Sequence, residues 1–348
     1  MPLPPVRRHP LTPTVRPTVI QDLYTPDETA RLFGVLREHG PWPLIVAQHF
    51  SSTEEYLAVS GGRTRRPDAK LSDFAAPVFR GYLGKEGVVL YEEIRDIYFG
   101  RRLLDHARRI HGAEYGLSQH MLFNIGVPSH SFDAGHFDSP NWRGITSVSA
   151  PIWLLSVMAK SGLFDPWEVR TAQVVTYFYA SDQDGGFTFW PDGPDRPPAR
   201  IPAPFWNTGI LSENSKMYHR REPNGPRGRR DTPELVLESL LHSVDGQWVI
   251  RNGDREIGRY SEAETRTLFH YTALLFEDLA DVNRYLDHTD DLTLDKVFDM
   301  LGDDLTRRGV TFSFPADPIS DPEFISLLTE AYAMAPADYP AEAPLDVR

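Results

Sequence analysis

Gly135-His136-Phe137-Asp138 is answered about eighty residues later by Met217-Tyr218-His219, which supplies two imidazoles and one carboxylate. Residues i and i+2 of a strand share a face, so His136 and Asp138 can serve one ion while Phe137 turns into apolar packing. Gly135 lets the backbone approach a neighbour closely. The third ligand must come from a strand distant in sequence and adjacent in space. His219 follows Gly209-Ile210-Leu211 and Asn214 as such a strand or turn would. Two neutral imidazoles and a carboxylate are the ligand set of a facial triad, which holds a ferrous ion on one side and leaves its other positions open to substrate and oxygen. The ion keeps a residual positive charge, which attracts a bidentate anionic co-substrate. The chain has no cysteine, so a metal here has only His and carboxylates to bind it, and no disulfide can form.

The elements that must position these residues read as helix, then strands, then helix. Residues 1–17 hold six prolines and little apolar periodicity, and suggest an extended arm or disordered leader. Thr25-Pro26-Asp27-Glu28 has a cap, a proline at the first helical position and a glutamate at the third, which predicts a helix to about Glu38. A strand over 42–47 and a helix over about 91–110, stopped by Gly112, follow. From about 119 to 257 the pattern becomes short apolar runs between Gly, Pro, Asn and Asp. Strands are expected at 121–125, 173–179, 186–190 and 209–212, with a hairpin over 248–257 turning at Asn252-Gly253. Ser261 and Glu264 form a capping-box pattern that predicts a long helix over about 262–285. Further helices are expected at 294–307 and from Pro322 to about 334, and the tail from 336 to 348 is Ala/Pro-rich. These elements suggest one α+β domain over 18–335, its β core at about 119–257 and a helical extension at about 261–335.

The formal charge of −13 argues against binding nucleic acid or an anionic membrane, and no apolar run is long enough to span a bilayer. The Pro-studded N-terminus lacks the apolar segment of a signal peptide, which fits a cytoplasmic protein. Arginine is concentrated at Arg220, Arg221, Arg227, Arg229 and Arg230, a pattern that suits either a solvated loop or a small-anion site.

Across about Met121 to Arg230 the chain resembles the ferrous-iron and 2-oxoglutarate-dependent dioxygenases, in particular their prolyl-hydroxylase-like branch. His136-Phe137-Asp138 is similar to the family's HxD motif. Tyr177-Phe178-Tyr179 resembles the strand that precedes its Gly-Gly turn, and Gly185-Gly186-Phe187-Thr188-Phe189-Trp190-Pro191 resembles the turn itself. His219-Arg220-Arg221-Glu222-Pro223, with Arg229 ten residues past the histidine, is similar to the distal segment. The resemblance implies a double-stranded β-helix, or jelly roll, with Fe(II) held by His136, Asp138 and His219. It implies that 2-oxoglutarate chelates the iron and that an arginine pairs with its far carboxylate through two parallel hydrogen bonds. Tyr177 would offer its hydroxyl to the same carboxylate. The arginine is open between Arg227 and Arg229, with spacing favouring Arg229. If 247–250 is the last core strand, Arg251 becomes a further candidate. An aspartate at position 138 leaves no halide site, which favours hydroxylation over halogenation.

The expected activity is therefore O2-dependent oxidation of a small molecule, by hydroxylation or a related desaturation or cyclisation, in specialised metabolism. Competing readings are a hydroxylase of a protein or amino-acid residue, a cupin-like isomerase or lyase that makes no use of 2-oxoglutarate, and a binding module with a degenerate motif. Asn124, Trp142, Arg143, Trp153 and Trp206 are candidate substrate contacts, Arg143 foremost. His120 and His130 are expected to be structural or to line the pocket, and His242 and His270 to be structural. Oligomeric state is not written in the sequence.

Overall fold

The computed structural model describes residues 11–61, 70–71, 75–130, 135–226, 232 and 234–334. Strand β1 (Thr18–Gln21) leads into helix α1 (Pro26–Glu38), which starts as its sequence requires. The Thr25 hydroxyl accepts from the Glu28 amide, the Glu28 carboxylate accepts from the Thr25 amide, and Pro26 opens the helix. The strand expected over 42–47 shortens to β2 (Trp42–Pro43), and the chain then coils into a 3-10 turn at Val46–Gln48. Helix α2 (Thr53–Gly61) and strands β3 (Val78–Lys85) and β4 (Val88–Val89) follow. The helix expected over 91–110 is interrupted, because Gly100 is extended (φ −62°, ψ 135°) between α3 (Arg95–Tyr98) and α4 (Arg101–His111).

The middle of the chain comprises β5 (Tyr115–Gly126), β6 (Asn141–Trp142), α5 (Ile152–Ser161), β7 (Glu168–Val169) and β8 (Thr171–Tyr179). After these come β9 (Phe187–Phe189), β10 (Ala199–Ile201), β11 (Phe205–Ser212) and β12 (His219–Arg221). Strands β13 (Leu240–Val244), β14 (Gln247–Asn252) and β15 (Arg255–Ser261) form a meander whose second turn is the expected hairpin.

The long helix expected over 262–285 is absent. The Ser261/Glu264 capping box is present, but it caps one 3-10 turn. The chain then runs as strand β16 (Arg266–Phe276) before helix α6 (Leu279–Leu286). After Arg266 this strand carries no Asp, Glu, Lys or Arg and is rich in β-branched and aromatic residues. A strand buried on both faces shows no alternation, so its apolar run imitates that of a buried helix. Helices α7 (Leu294–Arg307) and α8 (Pro322–Ala331) end the described chain, close to expectation.

Seven strands form a large sheet in the order β1-β11-β8-β16-β5-β3-β4, and β10-β9-β12 form a smaller one. Every pairing in both is antiparallel. A single bridge between His136 and His219 extends the small sheet past β12. The two sheets face each other across a core of Val175, Tyr177, Phe187, Phe189, Ile210 and Leu268. The outer face of the large sheet is covered by α1, α3 and α4 through Phe33, Leu36, Tyr98, Phe123, Phe178 and Phe269. The meander and β2 make a separate sheet, β15-β14-β13-β2, whose Trp248 and Ile250 join that outer core. Helices α2, α5, α7 and α8 have their own core, built on Trp153, Leu154, Val297, Leu301, Ile325 and Leu328. The architecture is thus mixed α and β around large antiparallel sheets. Among the described residues no helix is long and apolar enough to cross a membrane.

Candidate active site

The first ligand segment is fixed by its backbone. His136 N–H donates to His219 O at 2.8 Å, and His219 N–H donates to His136 O at 3.0 Å, so the two histidines are a cross-strand pair. Gly135 (φ +84°) makes this approach possible, since a Cβ there would stand 2.6 Å from the Tyr218 ring and 3.0 Å from His219 O. Phe137 turns outward, as alternation requires, and packs edge-on to Tyr218 at 5.0 Å. Asp138 N–H donates to Asn214 O at 3.0 Å, which ties the carboxylate to the loop that delivers His219.

His136, Asp138 and His219 each offer a ligand atom, and these atoms lie within 4.8 Å of one another. Nε2 of His136 and Nε2 of His219 are each 3.6 Å from Asp138 Oδ1. His219 Nδ1 is 2.8 Å from Met217 O, which fixes the ring and directs Nε2 inward, as metal-binding imidazoles commonly are. The side chains of Asp138 and His219 are 21% and 7% exposed against 54% for His136, so the cluster is recessed and open on one side. Burial raises the Asp138 carboxyl, but hydrogen bonding to His136 and the charges of His219, His270 and His136 outweigh it and hold the group well below its ordinary range. A deprotonated carboxylate with two imidazoles aimed at one oxygen is a donor set that suits a divalent iron.

Sequence reasoning gave His270 a structural part, yet its Nε2 stands 3.7 Å from Asp138 Oδ2. Among the described residues neither atom has a hydrogen-bond partner. Burial, more than the opposing Asp138 charge, lowers the His270 imidazole from its ordinary value. Oδ1 of Asp138 therefore faces the two ligand candidates, and Oδ2 faces the His270 ring. His270 lies on β16, two residues beyond Leu268 and four beyond Arg266, so all three share the face that looks into the site.

Arg266 was also missed. It is 4% exposed, its Nη2 donates to Gly186 O at 3.3 Å, and its Nε has no partner. Its guanidinium lies 4.7 Å from the Tyr177 ring centroid and 5.5 Å from that of Phe205. Burial lowers the guanidinium, while Tyr177, Glu222 and Tyr179 raise it again, and an arginine so placed stays charged. Tyr177 is pushed up to about 12, chiefly by burial, and remains a phenol. Tyr177 thus sits where the sequence placed it, beside a buried cation. A run of ten residues without a charged side chain, opened by an arginine, was the available signal for Arg266.

Arg227 and Arg229 lie outside the described residues. Arg251 sits on β14, which pairs only with β13 and β15, so the strand expected to close the core at 247–250 belongs to another sheet. The candidate substrate contacts also disperse. Arg143 is engaged with Asp290 at 2.6 Å and with Pro166 O at 2.7 Å, a tie between the β6 turn and the segment before α7. Trp142 and Trp153 are core residues of the helical layer, and Trp206 stacks on Phe33 at 6.3 Å on the outer side. Asn124 does face the site, where its Oδ1 accepts from Arg80 Nε at 2.8 Å. His120 lines the same wall, 3.4 Å from Glu86, whereas His242 sits on β13 in the separate sheet.

No protein-family model matches the chain, and no curated protein does. Solved structures do match. One is an oxidoreductase of the 2OG-Fe(II) oxygenase family from Burkholderia pseudomallei, 14% identical, with 75% of this chain and 86% of that one covered at a TM-score of 0.39. Another is a prolyl hydroxylase from Trichoplax adhaerens in complex with a hypoxia-inducible-factor peptide, 11% identical, covering 76% and 84% at 0.36. A third is HygX from Streptomyces hygroscopicus with nickel and 2-oxoglutarate bound, 9% identical, covering 76% and 85% at 0.36. The chain is similar to 2OG-Fe(II) oxygenase structures.

Proposed function

We propose that the protein is an Fe(II)- and 2-oxoglutarate-dependent oxygenase that hydroxylates a small molecule, or carries out a related desaturation or cyclisation. The observation that carries this reading is the convergence of His136, Asp138 and His219 between two sheets that also bury Arg266 and Tyr177. The strand order supports it. Read along the chain, β5, the His136 segment, β8, β9, β10, β11, β12 and β16 fall in the large, small, large, small, small, large, small and large sheet in turn. That order suits the winding of a double-stranded β-helix, eight strands in two antiparallel sheets with one hairpin inside the small sheet.

In this reading His136, Asp138 and His219 hold the metal. Bound iron with 2-oxoglutarate supplies oxidative decarboxylation of the co-substrate coupled to oxidation of substrate by O2. The chain's own residues do the positioning. Met217 O fixes the His219 ring and His270 faces the free oxygen of Asp138, so both ligands are oriented before the metal arrives. Arg266, which forms no ion pair among the described residues, takes the far carboxylate of 2-oxoglutarate, and the Tyr177 hydroxyl donates to it. Arg266 thereby replaces Arg229, Arg227 and Arg251 in this role. A small substrate is favoured because Asp138 and His219 are recessed and only His136 is broadly open.

Anaerobic mixing with ferrous iron and 2-oxoglutarate tests the reading. A visible charge-transfer band is expected, lost in Arg266→Gln at the same 2-oxoglutarate concentration, with oxygen-dependent succinate on admission of air. Iron binding without the band or succinate would leave a cupin-like metalloenzyme with no use for 2-oxoglutarate.

A further inference from the structure

Arg80 is the second cation on the site face of the large sheet, and the oxygenase reading does not use it. It lies on β3, where Gly81 faces the outer core, since a Cβ there would stand 2.5 Å from Phe123 and 2.6 Å from Trp42. Arg80 and Tyr82 therefore face the site. Register places Arg80 opposite Asn124 on β5, and Asn124 opposite Leu268 on β16. Two strand spacings, about 10 Å, thus separate Arg80 from the strand that carries Arg266 and His270.

The partners of this guanidinium are neutral. Nε donates to Asn124 Oδ1 at 2.8 Å, and Nη1 lies 3.0 Å from His49 Nε2. Burial first, then Arg80 and Lys85, push His49 down to about 3, so it is an unprotonated acceptor at neutral pH. Among the described residues no carboxylate forms an ion pair with Arg80, and Asp138 is the one carboxylate whose charge it senses. Glu86, the nearby acid on the same wall, faces His120 at 3.4 Å. Two other arginines of the molecule are paired with carboxylates, the buried Arg143 with Asp290 and the half-buried Arg200 with Glu222. A guanidinium held in place by neutral groups, and sensing only a carboxylate already committed to the metal candidate, is arranged for an anion that arrives from outside.

We propose that Arg80, positioned by Asn124 and His49, anchors a carboxylate of the primary substrate, so that this enzyme oxidises carboxylate-bearing small molecules. The two arginines then divide the acids between them: Arg266 takes the co-substrate and Arg80, two strands away, the substrate. The proposal rests on the oxygenase reading for what happens to the bound acid, but recognition of the acid is independent of turnover.

The test is a thermal-shift series on the full chain, with and without nickel and 2-oxoglutarate. Hexanoate, benzoate, phenylacetate and the proteinogenic L-amino acids are each compared with the matching primary amide. At least one acid is expected to raise the melting temperature where its amide does not. Arg80→Gln should weaken that acid about 10- to 100-fold, the loss of a charged hydrogen-bond pair, and Arg80→Lys should restore part of it. Circular dichroism of both variants checks the fold. In the charge-transfer titration Arg80→Gln should bind 2-oxoglutarate within about threefold of wild type, a change of less than 1 kcal/mol by the affinity scale. An acid effect that persists in Arg80→Gln, or a panel in which no acid outperforms its amide, overturns the proposal. Loss of 2-oxoglutarate binding in Arg80→Gln to the extent seen in Arg266→Gln overturns it too, by assigning Arg80 to the co-substrate. Failure of the wild type to form the iron chelate strikes the oxygenase reading instead, and the metal-free acid series reports separately.

Discussion

The two faces of strands β8 and β16 are built from adjacent residues and have opposite character. Phe178, Phe269 and Tyr271 point to the helices, where Phe33 meets Phe178 at 5.3 Å and Phe269 at 5.6 Å in edge-to-face contacts. Tyr177, Arg266, Leu268 and His270 point to the small sheet, where Arg266 Nε, His270 Nε2 and Asp138 Oδ2 are buried with no hydrogen-bond partner among the described residues. Alternation lets one strand serve as scaffold on one side and as site on the other. Burial of rings stabilises the fold on the first face, while buried polar groups left without a protein partner cost stability on the second.

Exchanging the properties of the two faces should therefore separate stability from binding. Phe269→Ala is expected to have the largest effect, about 3–5 kcal/mol of unfolding free energy in urea titration, the usual cost of a deleted core ring. The folded fraction should still bind iron. His219→Ala should do the reverse: near-wild-type apo stability, within about 1 kcal/mol, and iron affinity reduced beyond the 10- to 100-fold typical of a mere supporting group. Arg266→Gln should weaken 2-oxoglutarate about 10- to 100-fold in the anaerobic titration and leave iron binding in place. His270→Gln should lower iron affinity by about tenfold, as loss of a group that only orients a ligand does. Equal losses of stability in all four variants would erase the distinction between the faces.

The smallest effect concerns pH. Burial holds His49 at about 3 and His120 at about 4, both below the ordinary histidine value. The unfolded chain binds these protons more readily, so apo stability is full above the unfolded pKa and falls as pH drops below about 6.5, by up to about 1.4 kcal/mol per unit for each group. His49→Gln should flatten that decline between about pH 6.5 and 5, read as melting temperature against pH.

Sequence and structure meet most closely where local chemistry decides. The capping box at Thr25 and Glu28, the helices at 294–307 and 322–331 and the hairpin turn after Asn252 follow from short-range pattern, and the gathering of His136, Asp138 and His219 follows a motif split between two segments. Tyr177 was found because a strand before a glycine turn is a local signal. Arg266 and His270 were not, for two physical reasons. A fully buried central strand shows no two-residue alternation, and the Ser261/Glu264 box announced a helix that stops after one turn. The β13–β15 meander also separates His219 from β16, so a spacing measured from the histidine ran into inserted chain. Arg80 carried no sequence signal, because its meaning depends on which groups lie opposite it on β5 and β16.

The position of β16 has a consequence for biosynthesis. This strand sits between β5 and β8 in the large sheet, yet it is made last, 97 residues after β8 ends at Tyr179. At ribosomal speeds the interval is on the order of ten seconds. During that time β5 and β8 each present a long apolar edge with no neighbour, the kind of surface that recruits other chains. Chaperone demand should therefore peak for nascent chains ending between residues 180 and 276, and products truncated within that window should aggregate where the full-length chain does not.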